Sequence, residues 1–234
     1  MTGKNRRAAM LVKHWMTRRV ITVDTESTLG SAIQLMRDHE IRMLPVLKNG
    51  VLEGVVTDRD LKQASASDAL HLGQQDLNAL AHVKIDSIMT RDPICIPFDR
   101  TIDETAEILL ENKISGAPVI DGMENFIGVI TQTDVFKALI SLTGNREQSV
   151  QFGLVVPDSK NAIKEIDDTL RYHGGRVISI LTSDDNLPEG YRKVFLRMSG
   201  IDRLRMEVIT EELQGKGELI YTIDHRDNIR MVYK

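Results

Sequence analysis

Two segments set a threonine three residues before an aspartate. Thr57 and Asp60 lie in Gly54-Val55-Val56-Thr57-Asp58-Arg59-Asp60, and Thr131 and Asp134 in Gly128-Val129-Ile130-Thr131-Gln132-Thr133-Asp134. A hydroxyl donates and accepts, and an ionised carboxylate accepts several hydrogen bonds. Such a pair leaving one strand end suits a polyol such as a ribose. The same spacing suits helix capping, where a side-chain oxygen satisfies a free amide of the first turn. One copy alone favours the cap; the repetition strengthens the ligand reading. Groupings for catalysis are not apparent. His14, His39, His71, His82, His173 and His225 form no HExxH-type motif, and no GxxxxGK[ST] loop occurs. The single cysteine, Cys95, excludes an intrachain disulfide and a Cys-rich zinc site. The expectation is a non-catalytic protein with no metal and no catalytic cofactor.

The elements that must position these pairs recur. Val20-Ile21-Thr22-Val23 reads as a strand, and Thr25-Glu26-Ser27-Thr28 as a helix start. Leu29, Ala32, Ile33 and Met36 give one apolar face to a helix ending near His39. Ile41 to Leu47 enters a second strand with Pro45 at its start, Asn49-Gly50 marks a hairpin, and Val51 to Thr57 returns. Met16-Thr17 comes back as Met89-Thr90, Leu29 as Ile102, Ile41 as Ile114 and Pro45 as Pro118, each 73 positions later. Gly54, Thr57 and Asp60 come back as Gly128, Thr131 and Asp134, 74 positions later, so one residue is added in the turn Asp121-Gly122-Met123-Glu124-Asn125. A repeat of this kind governs the fold assignment.

Residues 149–234 differ. Strands at Val150–Val156, Val177–Leu181, Lys193–Met198 and Glu218–Ile223 alternate with helices striped by Ala162, Ile163, Ile166 and Leu170, and by Leu204, Val208, Ile209 and Leu213. The order βαββαβ is the split ferredoxin-like arrangement. The divisions expected are a tail 1–10, repeats 11–65 and 85–142, a connector 66–84 with a polar stretch from Ser65 to Asp68 and apolar Leu77, Leu80 and Val83, a linker 143–148, and a last domain 149–234. The 234 residues are 41% hydrophobic and 27% charged with a formal net charge of -4, the balance of a soluble globular protein. The scattered Lys and Arg, with no basic block, argue against nucleic acid as a partner. Arg6, Arg7 and Lys13 interrupt any apolar run at the start, and no stretch reaches the roughly 18 apolar residues of a membrane span. A cytoplasmic location is the expectation.

Trp15-Met16-Thr17, Ile41-Arg42-Met43-Leu44-Pro45-Val46 and Gly54 to Leu61, with Ile88-Met89-Thr90, Ile114-Ser115-Gly116-Ala117-Pro118-Val119 and Gly128 to Asp134, resemble tandem CBS domains. The resemblance covers residues 11–142. It implies an α/β fold in which two βαββα repeats form a pseudo-twofold Bateman module, whose cleft often binds adenine nucleotides. Residues 149–234 look like an ACT domain, although the loop Pro157-Asp158-Ser159-Lys160-Asn161 lacks the glycine usual where such domains admit an amino acid. The combined order resembles the AcuB family, named for acetoin utilisation. Carried over, the family site implies a first pocket of Thr57, Arg59 and Asp60 with Pro93, Ile94, Ser115, Gly116, Ala117 and Pro118. A second would use Thr131, Thr133 and Asp134 with Val20, Thr22, Arg42, Met43, Leu44 and Pro45. Gly116 and Ala117 leave room for a flat base, and Arg42 could pair with a phosphate or fill its pocket. The implied function is regulatory. AMP, ADP, ATP or a related adenosyl ligand is sensed, an unknown target protein is controlled, and acetoin or acetyl-CoA metabolism is a candidate setting. A homodimer through helix faces, and through the sheets of the last domain, is implied too. The alternatives are an interaction scaffold with vestigial pockets, or amino-acid sensing by the last domain.

Overall fold

The computed structural model describes residues 10–64, 83–144 and 148–233. The expected tail up to residue 9, the connector stretch Ser65 to Asp68 with Leu77 and Leu80, and Asn145-Arg146-Glu147 of the linker lie outside those residues, as do His71 and His82. The chain divides into two compact units, Met1–Ala138 and Leu139–Lys234.

In the first unit, β1 (Val23–Asp24) runs parallel to β2 (Met43–Lys48), and β2 pairs antiparallel with β3 (Val51–Thr57). The hairpin turns through Asn49 at φ 51° and Gly50 at φ 82°, the left-handed pair that a type I′ turn demands. Helix α1 (Leu29–Asp38) opens on a capping box: Thr28 Oγ1 accepts the Ser31 amide at 3.2 Å, and Ser31 Oγ accepts the Thr28 amide at 3.1 Å. Residues 58–64 form helix α2. The second repeat has β5 (Ile96–Pro97) parallel to β6 (Gly116–Ile120), antiparallel β6 and β7 (Phe126–Thr131), and helices α3 (Ile102–Glu111) and α4 (Gln132–Leu142). The strand expected over Val20–Val23 is shorter than that, with only Val23–Asp24 paired. Proline has no amide to give a neighbouring strand. Both parallel ladders begin one residue past it, Val23 opposite Val46 beside Pro45 and Ile96 opposite Val119 beside Pro118.

The two repeats trade their leading segments. The 3-10 turn Val12–His14, Trp15 and Met16 pack with Ile96, Ile102, Leu109, Val119 and Ile130 of the second repeat. The turn Ile85–Ser87 and Met89 pack with Leu29, Leu44, Val46 and Val56 of the first. Strand β4 (Thr90–Arg91) then lies antiparallel on β3, with Val55 opposite Thr90. Thr17 makes the equivalent bridge to Val129, exchanging amide-to-carbonyl bonds of 2.9 and 3.0 Å. Residues 11–17, grouped by sequence order with the first repeat, thus complete the core of the second. The crossing segments come so close that a Cβ on Gly54 would sit 2.6 Å from Thr90 O, and one on Gly128 would sit 2.7 Å from Thr17 O. Only glycine admits that approach.

The second unit is a five-stranded antiparallel sheet in the order β12-β11-β8-β10-β9. Its strands are β8 (Val150–Pro157), β9 (Arg176–Ser183), β10 (Tyr191–Ser199), β11 (Glu218–Asp224) and β12 (Ile229–Val232), with helices α5 (Ala162–Tyr172) and α6 (Met206–Gln214). Apart from β12, chain order and sheet order are ferredoxin-like. Phe152, Leu154, Val156, Leu196 and Met198 meet Ile166, Leu170, Ile209 and Leu213 in its core. The expected helix stripe is corrected at two places: Leu204 is 98% exposed and Val208 is 47% exposed. Leu204 falls in a separate 3-10 turn capped by Asp202, and the helix proper begins at Met206. Its phase therefore buries Ile209 and Leu213. Strand β12 was not anticipated from the sequence.

Asp224 gives this unit an acid-sensitive contact. Burial pushes its carboxyl up, but hydrogen bonds from the Arg203 guanidinium and the Arg226 amide, with the Arg203 charge, outweigh burial and hold it below the ordinary value. Because the folded value is depressed, the stabilisation is complete above the unfolded value of about 3.9. It is lost as pH falls through the lower folded value. Melting followed by circular dichroism should show a falling transition temperature below about pH 4. Asp224→Asn should be less stable at neutral pH and have a shallower acid limb; an unchanged acid limb would refute the assignment.

Candidate nucleotide site between the repeats

Each Thr/Asp pair is a capping box at a strand-to-helix junction. Asp60 Oδ2 accepts the Thr57 amide at 2.8 Å and the Thr57 hydroxyl at 2.6 Å, and the Asp60 amide approaches Thr57 Oγ1 at 3.4 Å. Thr131 and Asp134 repeat this at 3.1, 2.7 and 3.4 Å. The threonine is the helix cap, and the aspartate reaches back to it from the first turn. Capping and ligand binding need not exclude each other, because a carboxylate has two oxygens. Among the described residues no protein group bonds Asp60 Oδ1, whereas Asp134 Oδ1 receives Lys137 Nζ at 3.3 Å.

A cavity of about 460 Å³ opens beside Asp60. Of the residues proposed for the first pocket, Thr57, Arg59, Asp60, Pro93, Ile94, Ser115, Gly116 and Pro118 line it. Ala117 does not: it is 1% exposed and packs in the second core. Successive side chains on a strand point to opposite faces, so Gly116 borders the cavity and Ala117 turns inward. A second cavity, of about 610 Å³, is lined by Val20, Arg42, Met43, Thr131, Thr133 and Asp134. Thr22, Leu44 and Pro45, placed there by the sequence, are not on its wall. Leu44, equivalent to Ala117, turns into the core of the first repeat in the same way, whereas Pro45, equivalent to the Pro118 that lines the first cavity, is buried off the second wall.

The two cavities share a partition. Arg42 and Met43, assigned from the sequence only to the second, and Ser115 and Gly116, assigned only to the first, line both. A Cβ on Gly116 would lie 3.5 Å from Met43 Cε. The bulky residues of one repeat thus oppose the small ones of the other. Sequence reasoning also missed Thr90, Asp92 and Lys113 on the first wall and Thr17 and Glu40 on the second. The Met-Thr repeat was a usable signal for Thr17 and Thr90.

The charges break the pseudo-symmetry. Glu40 and Lys113 are equivalent, both in left-handed conformation after a helix, at φ 53° and 55°. Arg59 is equivalent to Thr133, and Asp92 to Arg19. Asp58 is tied to Lys62 at 2.7 Å. The wall of the first cavity therefore carries Arg59 and Lys113 together with the carboxylates of Asp60 and Asp92. The arrangement offers an acceptor for vicinal hydroxyls, cations for phosphate, and the small Gly116 beside apolar Ile94, where a base could lie. Among the described residues, no group of three or more His, Cys, Asp or Glu could hold a metal ion, and no helix is long and apolar enough to cross a membrane.

The CBS domain model matches residues 12–67 and 85–141. A CBS domain-containing protein of Dictyostelium discoideum is 33% identical over 135 residues, which is 57% of this chain and 93% of that protein. Among solved structures, CBSX2 of Arabidopsis thaliana, in complex with AMP, has 25% identity and a TM-score of 0.49, covering 57% of this chain and 98% of that one. A Vibrio cholerae protein described as an acetoin utilization protein (AcuB) has 27% identity and a TM-score of 0.49, covering 58% of this chain and 93% of that one. With two matched copies, a relative aligned over nearly its whole length and the paired-repeat architecture in place, this chain belongs to the CBS-domain family.

Proposed function

We propose that the chain is a regulatory protein that binds an adenine nucleotide or related adenosyl compound in the first cavity and passes the bound state to a target protein. The observation that carries this reading is Asp60, whose Oδ1 no protein group bonds among the described residues, lining a cavity of about 460 Å³ together with Arg59 and Lys113. That volume falls within the range of roughly 300–1,000 Å³ typical of small-molecule sites. A ligand shifts the equilibrium between two repeat packings only by its differential affinity for them. Acetoin or acetyl-CoA metabolism is the setting that the AcuB resemblance suggests. The ACT-like reading of the second unit rests on its strand order. A homodimer is supported by Phe136, Leu139 and Ile140, exposed by 60%, 52% and 57% on one face of α4.

Asp60→Ala would test the site poorly, because it also removes the acceptor for the Thr57 amide and hydroxyl in the capping box of α2, a loss of about 1 kcal/mol. Asp60→Asn keeps an oxygen for the Thr57 amide and turns a donor toward the cavity. A charge-assisted hydrogen bond contributes about 1.5–3 kcal/mol. The variant should keep its melting temperature within a few degrees and bind AMP about ten-fold or more weakly by isothermal titration. Unchanged affinity would remove Asp60 from the site. A thermal-shift screen of AMP, ADP, ATP, S-adenosylmethionine and NAD identifies the preferred ligand, since a compound that binds only the folded state raises its melting temperature.

A further inference from the structure

We infer that the two cavities compete for one guanidinium, Arg42, so that occupancy of one by a phosphate-bearing ligand weakens binding of such a ligand in the other. The inference rests on the nucleotide reading above and adds a regulatory property to it.

Arg42 lines both cavities. Its side chain is exposed, and among the described residues no ion pair or hydrogen bond engages its guanidinium. Its backbone is fixed: Arg42 O accepts the Asp58 amide at 3.0 Å, on the strand-to-helix junction that carries Thr57 and Asp60. The equivalent carbonyl, Ser115 O, accepts the Gln132 amide at 2.9 Å on the other junction. The pseudo-twofold thus places two equivalent side chains on one partition, and only one of them is a cation. A symmetric module would supply one guanidinium per cavity, whereas here one serves two.

Arginine binds phosphate through a planar fork of donors, and one fork faces one phosphate at a time. Other cations do not substitute evenly. The first cavity has Arg59 and Lys113 of its own, but also Asp58, Asp60 and Asp92. The second has Arg19, but it also carries Glu40, and Lys137 is held by Asp134 at 3.3 Å. Without Arg42, neither wall carries more cations than carboxylates. A ligand filling the first and drawing Arg42 across leaves the second short of positive charge. Coupling between sites is reciprocal, so a ligand in the second cavity weakens the first by the same factor. A nucleoside without phosphate makes no demand on Arg42 and escapes the coupling.

The test is isothermal titration of the full chain with ADP and with adenosine, on the unsubstituted protein and on Arg42→Ser, which places at 42 the residue found at the equivalent position. For the unsubstituted protein, ADP should bind in two steps whose affinities differ roughly ten-fold more than those of the two adenosine steps, the scale of one charge-assisted hydrogen bond. A single ADP step against two for adenosine is the limiting form of the same result. In Arg42→Ser both ADP steps should weaken, and their ratio should narrow toward the adenosine ratio of the same variant, with the melting temperature unchanged. The competition is overturned if the ADP and adenosine ratios already agree, or if the ADP ratio survives the substitution. If neither adenosine nor ADP binds the unsubstituted protein, the nucleotide reading itself fails, an outcome distinct from binding without competition.

Discussion

Replacing Phe152 with alanine should destabilise the C-terminal unit by about 3–5 kcal/mol, the cost of truncating a buried aromatic ring. Phe152 is fully buried at the centre of β8, facing both helices of its unit. The cores of the two units share no residue, so the loss should fall on one cooperative transition. Differential scanning calorimetry should show the transition of the 139–234 unit moving to lower temperature while that of the repeat unit stays. The adenine-nucleotide shift should remain on the unmoved transition, because every residue of the proposed site lies in the first unit. If both transitions dropped together, the units would be melting as one, and the separation of cores would not describe their energetics.

Gly54→Ala is the second substitution with a large effect, at about 1–3 kcal/mol for an overpacked site. The new methyl would lie 2.6 Å from Thr90 O and 2.9 Å from Met89 Sδ. The methionine end can move. The carbonyl cannot do so without disturbing β4, which pairs through Val55–Thr90 and Gly54–Arg91. Thr90 also lines the first cavity, so nucleotide affinity should fall with stability. Gly128→Ala should cost a similar amount, because its methyl would meet Thr17 O at 2.7 Å, and should weaken the second cavity instead. Denaturant melts of both variants check the stability, and titration checks which ligand step moves. A stable Gly54→Ala would mean that the crossing segment is free to retreat.

What the sequence disclosed follows from the range of the forces involved. The hairpin at Asn49-Gly50, the strand-to-helix junctions at Thr57 and Thr131, and the helix stripe at Leu29, Ala32 and Met36 are set by neighbours a few residues apart, and all were legible. The repeat supplied the pairing of the two halves. The exchange of leading segments was not legible, because Met16 and Met89 read as apolar residues whichever core they enter. Leu204 and Val208 looked like part of a helix stripe until the interruption before Met206 changed the phase. At the site, the residue types were found but their division between cavities was not. Arg42 and Ser115 belong to a wall with two sides, and a side chain's membership in both cannot be read from spacing along one strand.

The traded segments make half of this module an incomplete object. Residues 11–17 fill a place in a core otherwise built from residues 96–138, and residues 85–90 fill the matching place in a core assembled before them. A lone repeat would present an empty slot and carry a plug that fits an identical slot on another molecule, the geometry of domain swapping. Two copies of a primitive single repeat could each have completed the other as a swapped homodimer. Gene duplication and fusion would then have turned that exchange into an intramolecular one. Once both halves were in one chain, their partition was free to diverge, with arginine on one side and serine on the other.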